Sequence, residues 1–253
     1  MTELTFLGTG TSQGVPMIGC GCEVCRSTDP RDKRLRSSVL VRHEGLTILV
    51  DAGPDFRQQM LAGGVSHVDA ILLTHNHKDH TGGLDDVRAF NYHEQKAAQI
   101  YCEQYVEDSL RMEYSYAFAE KKYPGAPEWK VNLIDNAPFS IKGVEIVPIR
   151  GFHYKLPVLG FRFGDIAYCT DMNHIPEEEF SKLHGLEHFI INTVRRGKHI
   201  SHFALEEAIA VAEKVGAEHT WLTHLSHQLP CHEDLCAELP HSILPAHDGL
   251  ILK

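Results

Sequence analysis

Leu73-Thr74-His75-Asn76-His77-Lys78-Asp79-His80-Thr81-Gly82-Gly83 places three histidines and an aspartate within six residues, directly after a short apolar run. His75 and His77 stand two apart, so an extended segment aims both imidazoles at one ion. Asp79 and His80 follow and can face a second ion from the neighbouring side. Imidazole and carboxylate together suit zinc, manganese or iron. With 18 histidines in the chain some clustering is expected by chance, but chance does not also supply the strand before the cluster and the Thr-Gly-Gly turn after it.

Outward from this stretch, Val68 to Leu73 reads as the strand that delivers the cluster. Upstream, 38–42 and 46–50 are β-branched runs forming a hairpin about His43-Glu44-Gly45, and Asp51-Ala-Gly-Pro54 ends its second strand. The segment from Asp55 to Ala62 is helical in composition and stops at Gly63-Gly64. The chain opens with a strand over 4–7 and a glycine loop, Gly8 to Pro16, whose spacing is not that of a dinucleotide-binding turn. Downstream, 84–90 reads as helix and 100–102 as a short strand. A stretch from about 107 to 130 carries Tyr114, Tyr116, Phe118, Tyr123 and Trp129. It reads as an aromatic insertion, either a lid or subunit contact or a helical hairpin packing its rings on the core.

Three further strand ends carry candidate ligands. His153 follows the strand 144–149, Asp171 the hairpin 159–163/166–170, and His224 the buried strand 219–223, with a helix over 203–215 before it. Together with the His75 cluster, four strand ends then converge along one edge of a sandwich, where loops commonly present a catalytic site.

At 253 residues and 43% apolar content, the chain suits a single large domain spanning 1–253. A formal charge of −10 argues against a protein whose main task is to grip nucleic acid. No apolar run spans a bilayer and no leader precedes the first strand, so a cytoplasmic location with no membrane partner is expected. Seven cysteines, three of them bunched at Cys20, Cys22 and Cys25, read as metal ligands and free thiols rather than a disulfide framework. That loop, about 19–26, can close on one tetrahedral structural zinc if a fourth ligand arrives. The candidates are His227, Cys231 and Cys236, and His227 is favoured because it lies three residues from His224.

The order of these motifs resembles the metallo-β-lactamase superfamily, a four-layer αββα sandwich of the α/β class. The resemblance implies that His75, His77 and His153 hold a first divalent ion, that Asp79, His80 and His224 hold a second, and that Asp171 bridges both. Thr5-Phe-Leu-Gly-Thr-Gly10, Gly14-Val-Pro16, the cysteine triplet and Leu222-Thr-His-Leu-Ser-His-Gln228 are similar to the phosphoribosyl cyclic phosphate phosphodiesterase family of the carbon-phosphorus lyase pathway. That family's structural zinc implies Cys20, Cys22, Cys25 and His227 as ligands here. His202 resembles its additional phosphate-site histidine, which contacts the scissile phosphate or protonates the leaving group. Asp248-Gly249 matches a weaker motif near the terminus. A homodimer is expected on resemblance alone.

The chemistry expected is that of a phosphodiesterase acting on a small, cyclic or open, phosphate diester. A hydroxide bridging two ions is a nucleophile at neutral pH, and His202 with Asp79 completes the catalytic set. Two other hydrolases on such a scaffold remain open: an RNA-processing nuclease, for which the small basic groups at 31–36 and 195–198 are a poor exosite, and a glyoxalase II-like thioesterase. A non-enzymatic carrier role is the alternative from a different class.

Overall fold

The computed structural model describes residues 2–253 and explains the continuous apolar runs of the sequence: both faces of both sheets are covered. A first sheet contains β1 (Thr2–Gly8), β2 (Ser38–His43), β3 (Leu46–Val50), β4 (Ala70–Leu72), β5 (Ala98–Cys102) and β6 (Trp129–Leu133). The second contains β7 (Phe139–Ile141), β8 (Val144–His153), β9 (Leu156–Phe163), β10 (Ile166–Cys169), β11 (His188–Asn192), β12 (His219–Thr223) and β13 (Ile243–Pro245). A final strand, β14 (Ile251–Leu252), returns beside β1, and the orders are β14-β1-β2-β3-β4-β5-β6 and β13-β12-β11-β10-β9-β8-β7.

Alternation along each strand sets the layers. Val39, Val41, Ile48, Val50 and Leu72 turn inward to meet Phe161, Phe163, Tyr168 and Ile190 from the opposite sheet. Their neighbours Leu40, Leu49 and Ile71 face outward, under a helical layer. That layer comprises α2 (Phe56–Ala62), α3 (Lys78–Thr81), α4 (Arg88–Glu94) and α5 (Gln104–Glu113), which follow the short α1 (Glu23–Arg26) of the cysteine loop. On the far side Phe189 and Ile191 pack beneath α6 (Leu205–Val215) and α7 (His232–Glu238). The result is an αββα sandwich, as expected. Among the described residues no helix is long and apolar enough to cross a membrane.

The stretch read as an aromatic insertion is the α5 layer and its return into β6. Tyr114 is buried, Tyr116, Phe118 and Trp129 pack against the outer core beside it, and Tyr123 remains exposed. The Tyr114 hydroxyl donates to the carbonyl of Thr81 at 2.9 Å, tying this layer to the loop that carries the histidine cluster.

Candidate metal centre

Every strand that feeds the site leaves its sheet at the same edge. β3 and β4 are parallel, as are β10, β11 and β12, so their C-terminal ends share a side. Asp51, the His75–His80 loop, Asp171 and His224 follow four of those ends, while His153 closes β8 at the hairpin with β9. The departures are sharp: Asp51, Asp171 and His224 adopt left-handed backbone, φ 65°, 59° and 55°. Such conformations disfavour non-glycine residues and concentrate at functional sites. Two glycines make the edge compact. A Cβ on Gly53 would lie 2.0 Å from the carbonyl oxygen of Asp79, and one on Gly83 would lie 2.0 Å from that of Gly53.

All seven residues expected to bind the ion pair come together. The ring of His75 lies 4.6 Å from that of His77, and His77 lies 4.9 Å from His153. On the other side ligand atoms of Asp79, His80, Asp171 and His224 fall within 4.8 Å of one another. Asp171 stands between the two sets: its Oδ2 is 3.3 Å from His80 Nε2 and 3.8 Å from His75 Nε2, and its Oδ1 is 3.2 Å from His224 Nε2. The Thr170 hydroxyl donates to Asp171 Oδ1 at 2.8 Å. Asn192 grips the turn beyond, accepting from the Met172 N–H at 2.7 Å and donating to its carbonyl at 3.0 Å.

The site fits divalent cations on its own chemistry. Among the described residues, His75 Nε2, His80 Nε2, His153 Nδ1 and both ring nitrogens of His224 are buried with no hydrogen-bond partner. Leaving so many buried nitrogens unpaired is costly, and a cation removes the cost. Burial opposes ionisation of Asp171, but His224 and His80 outweigh it and hold the carboxyl well below the usual range. Asp79 is drawn down in the same way, against its burial, by His80 and His224. Desolvation keeps His75 neutral, well below the usual imidazole range, and pushes His153 down to about 4. Neutral imidazoles and ionised carboxylates are the forms that bind metal.

Sequence reasoning did not assign Asp51 a role. Its Oδ2 pairs with His80 Nδ1 at 2.6 Å, and it accepts from the Thr74 N–H at 2.9 Å and the Thr74 hydroxyl. Burial lifts the Asp51 carboxyl, while the flanking carboxylates overcome desolvation to raise His80. The geometry sets Nδ1 of His80 against Asp51 and turns its Nε2 to the cluster. The signal lay in the sequence: an acidic residue ending an apolar strand, like Asp171.

His202 reaches the site as well. Its Nε2 lies 3.3 Å from Asp171 Oδ2, and its ring is 4.5 Å from His153 and 4.8 Å from His224. Its Nδ1 faces Ser201 Oγ and His199 Nδ1, both at 3.2 Å. Atoms of His153, Asp171 and His202 also fall within ligand range of one another.

A separate cluster joins the N-terminal loop to the segment after β12. Cys20 and Cys22 Sγ lie 3.3 and 3.4 Å from His227 Nδ1, and Cys25 completes a four-atom group. The backbone of Cys25 and the imidazole of His227 lower the Cys22 thiol to about 6, whereas burial lifts Cys25 to about 11. Cys231 packs against this cluster but is not among the four, and neither is Cys236.

A family model for the beta-lactamase superfamily domain matches residues 47–225. A curated relative, an octanoyltransferase of Porphyromonas gingivalis, is 43% identical over 248 residues, covering 97% of this chain and 50% of that protein. A coenzyme PQQ synthesis protein B of Methylococcus capsulatus is 30% identical over 156 residues, 56% of this chain and 50% of that protein. The chain thus spans about half the length of these curated relatives. Among solved structures, a new diphosphatase from the PhnP family superposes with a TM-score of 0.93 at 38% identity, over 99% of this chain and 96% of that one. Zinc-bound PqqB from Methylobacterium extorquens gives 0.79 at 20% identity over 99% of each chain, a likeness of fold alone.

Proposed function

Because this chain belongs to the metallo-β-lactamase superfamily of hydrolases and, within it, to the PhnP family, we propose that it is a metal-dependent phosphodiesterase for a small phosphate diester, cyclic or open. The observation that carries this reading is the placement of His202, its Nε2 3.3 Å from Asp171 at the centre of the His/Asp cluster. In this reading His75, His77 and His153 hold one divalent ion, Asp79, His80 and His224 a second, and Asp171 lies between them. Zinc, manganese and iron all suit such ligands. When bound, the ions lower the pKa of water and neutralise charge on phosphoryl oxygens.

The protein's own groups do the rest. Thr170 and Asn192 fix Asp171, Asp51 fixes the His80 tautomer, and His75, His80, Asp171 and His224 are buried. His202 stands where its Nε2 can contact the scissile phosphate and protonate a departing alkoxide, a role suited to imidazole near neutral pH. Cys20, Cys22, Cys25 and His227 would supply four ligands to a structural zinc. A cytoplasmic location and a homodimer belong to the same proposal and rest on the family resemblance.

The octanoyltransferase name belongs to a relative twice as long as the matching region, so an octanoyl thioester is the competing substrate to assay. The test is hydrolysis of bis(p-nitrophenyl) phosphate, an aryl diphosphate, a phosphomonoester and an octanoyl thioester by metal-loaded protein. Diester turnover that stops with chelator and falls at least about 1,000-fold in Asp171→Asn, as expected for loss of a central charge, supports the reading. Thioester turnover without diester turnover refutes it.

A further inference from the structure

At the mouth of the site, next to His153 and two residues before His202, lie Tyr154 and Ile200, two large apolar side chains left 55% and 69% exposed. They are not loose. Tyr154 sits at the tip of the β8–β9 hairpin in left-handed backbone, φ 59°, where a bulky aromatic is disfavoured. Its N–H donates to Asn173 Oδ1 at 2.9 Å, and Asn173 Nδ2 donates to the Ile200 carbonyl at 3.0 Å. One side-chain amide therefore staples the hairpin tip to the loop that carries His202. Asn173 is itself fixed, its N–H donating to the Phe152 carbonyl at 2.8 Å. Because the His153 and His202 rings are 4.5 Å apart, the stapled residues stand on the same rim. The Lys155 ammonium lies 5.4 Å from the Tyr154 ring centroid and adds positive charge there.

Large apolar side chains exposed at a polar site, on backbones tied to one another, offer a surface for ligand contact. An aromatic face paired with an aliphatic one accepts a flat ring, and a nearby ammonium favours a ring attached to an anion. We propose that Tyr154 and Ile200, stapled by Asn173, form a stacking wall that selects phosphate diesters bearing a planar ring, of the nucleoside type. This deepens the phosphodiesterase reading and rests on it. Tyr154 is a specificity-determining residue here and takes no part in bond breaking.

The experiment compares two diesters with one leaving group, methyl p-nitrophenyl phosphate and thymidine 5′-p-nitrophenyl phosphate, on metal-loaded wild type, Tyr154→Ala and Tyr154→Phe. Wild type is expected to favour the thymidine ester at least about tenfold in kcat/KM, mostly through KM, the scale of one stacked base. In Tyr154→Ala the ratio between the esters collapses, whereas Tyr154→Phe keeps it. A general disturbance of the site lowers both esters together and leaves the ratio standing, which overturns the proposal. So does a wild type that cleaves both esters without preference. Failure to cleave either ester overturns the phosphodiesterase reading and this inference with it.

Discussion

The Nδ1 of His80 and the Oδ2 of Asp51 meet at 2.6 Å, with both side chains withdrawn from solvent. The pair fixes which nitrogen of His80 is free to face a cation, an arrangement that raises ligand basicity and orients the ring. Asp51→Asn is expected to weaken metal binding about 10–100-fold, with turnover restored by excess metal. Metal content after dialysis against buffered zinc, read beside activity, checks this; full occupancy at limiting metal would count against it.

Gly53 and Asp79 touch backbone to backbone. Alanine at 53 would bring a methyl group to 2.0 Å from the Asp79 carbonyl oxygen, a clash that only backbone movement relieves. Gly53→Ala should cost about 1–3 kcal/mol, the usual scale for overpacking, and should shift the Asp79 carboxylate. Urea unfolding together with metal stoichiometry would show both effects, and stability equal to wild type would refute the interlocking.

The thiolate cluster is expected to hold the fold rather than the reaction. Cys22→Ser should remove one equivalent of zinc and lower Tm by about 5 °C or more, while protein that remains folded keeps its kcat. A variant with normal Tm and zinc content but no turnover would place the cluster in the chemistry instead.

Burial, helped by Arg34 and Arg31, depresses His232 to about 4, and Arg34 donates to its Nδ1. A histidine depressed on folding contributes stability fully present above its unfolded pKa of about 6.5 and lost as pH falls through 4. Wild type should therefore lose more stability than His232→Gln between pH 7.5 and 5, by about 1 kcal/mol once solvent screening is allowed for. Parallel denaturation curves at the two pH values measure it, and equal losses would show that His232 does not titrate in this window.

The sequence exposed the site more fully than the architecture around it. His75, His77, Asp79 and His80 announce themselves by spacing, and His153, Asp171 and His224 by following apolar strands. The direction of those strands is a property of pairing: that β10, β11 and β12 run parallel depends on crossovers through the Glu177–Leu183 segment and α6, which no local pattern encodes. β6 escaped because Trp129 to Leu133 is half-buried at a sheet end and lacks clean alternation. Asp51 was legible as an acidic residue ending an apolar strand, but its pairing with His80, 29 residues away, was not. The staple by Asn173 is likewise a tertiary hydrogen bond, invisible to spacing.

Asp51, Asp171 and His224 share left-handed backbone at the ends of three strands, and each such residue stores about 1–3 kcal/mol. Stored energy of this kind sets where a folded protein first comes undone. In the metal-free protein the amides just beyond β10 and β12 should exchange their hydrogens through local opening, well ahead of those between the sheets. Cations held by Asp171, His224 and His80, whose ring is pinned by Asp51, would close that fracture line, so loading the site would act as a latch on the whole catalytic edge.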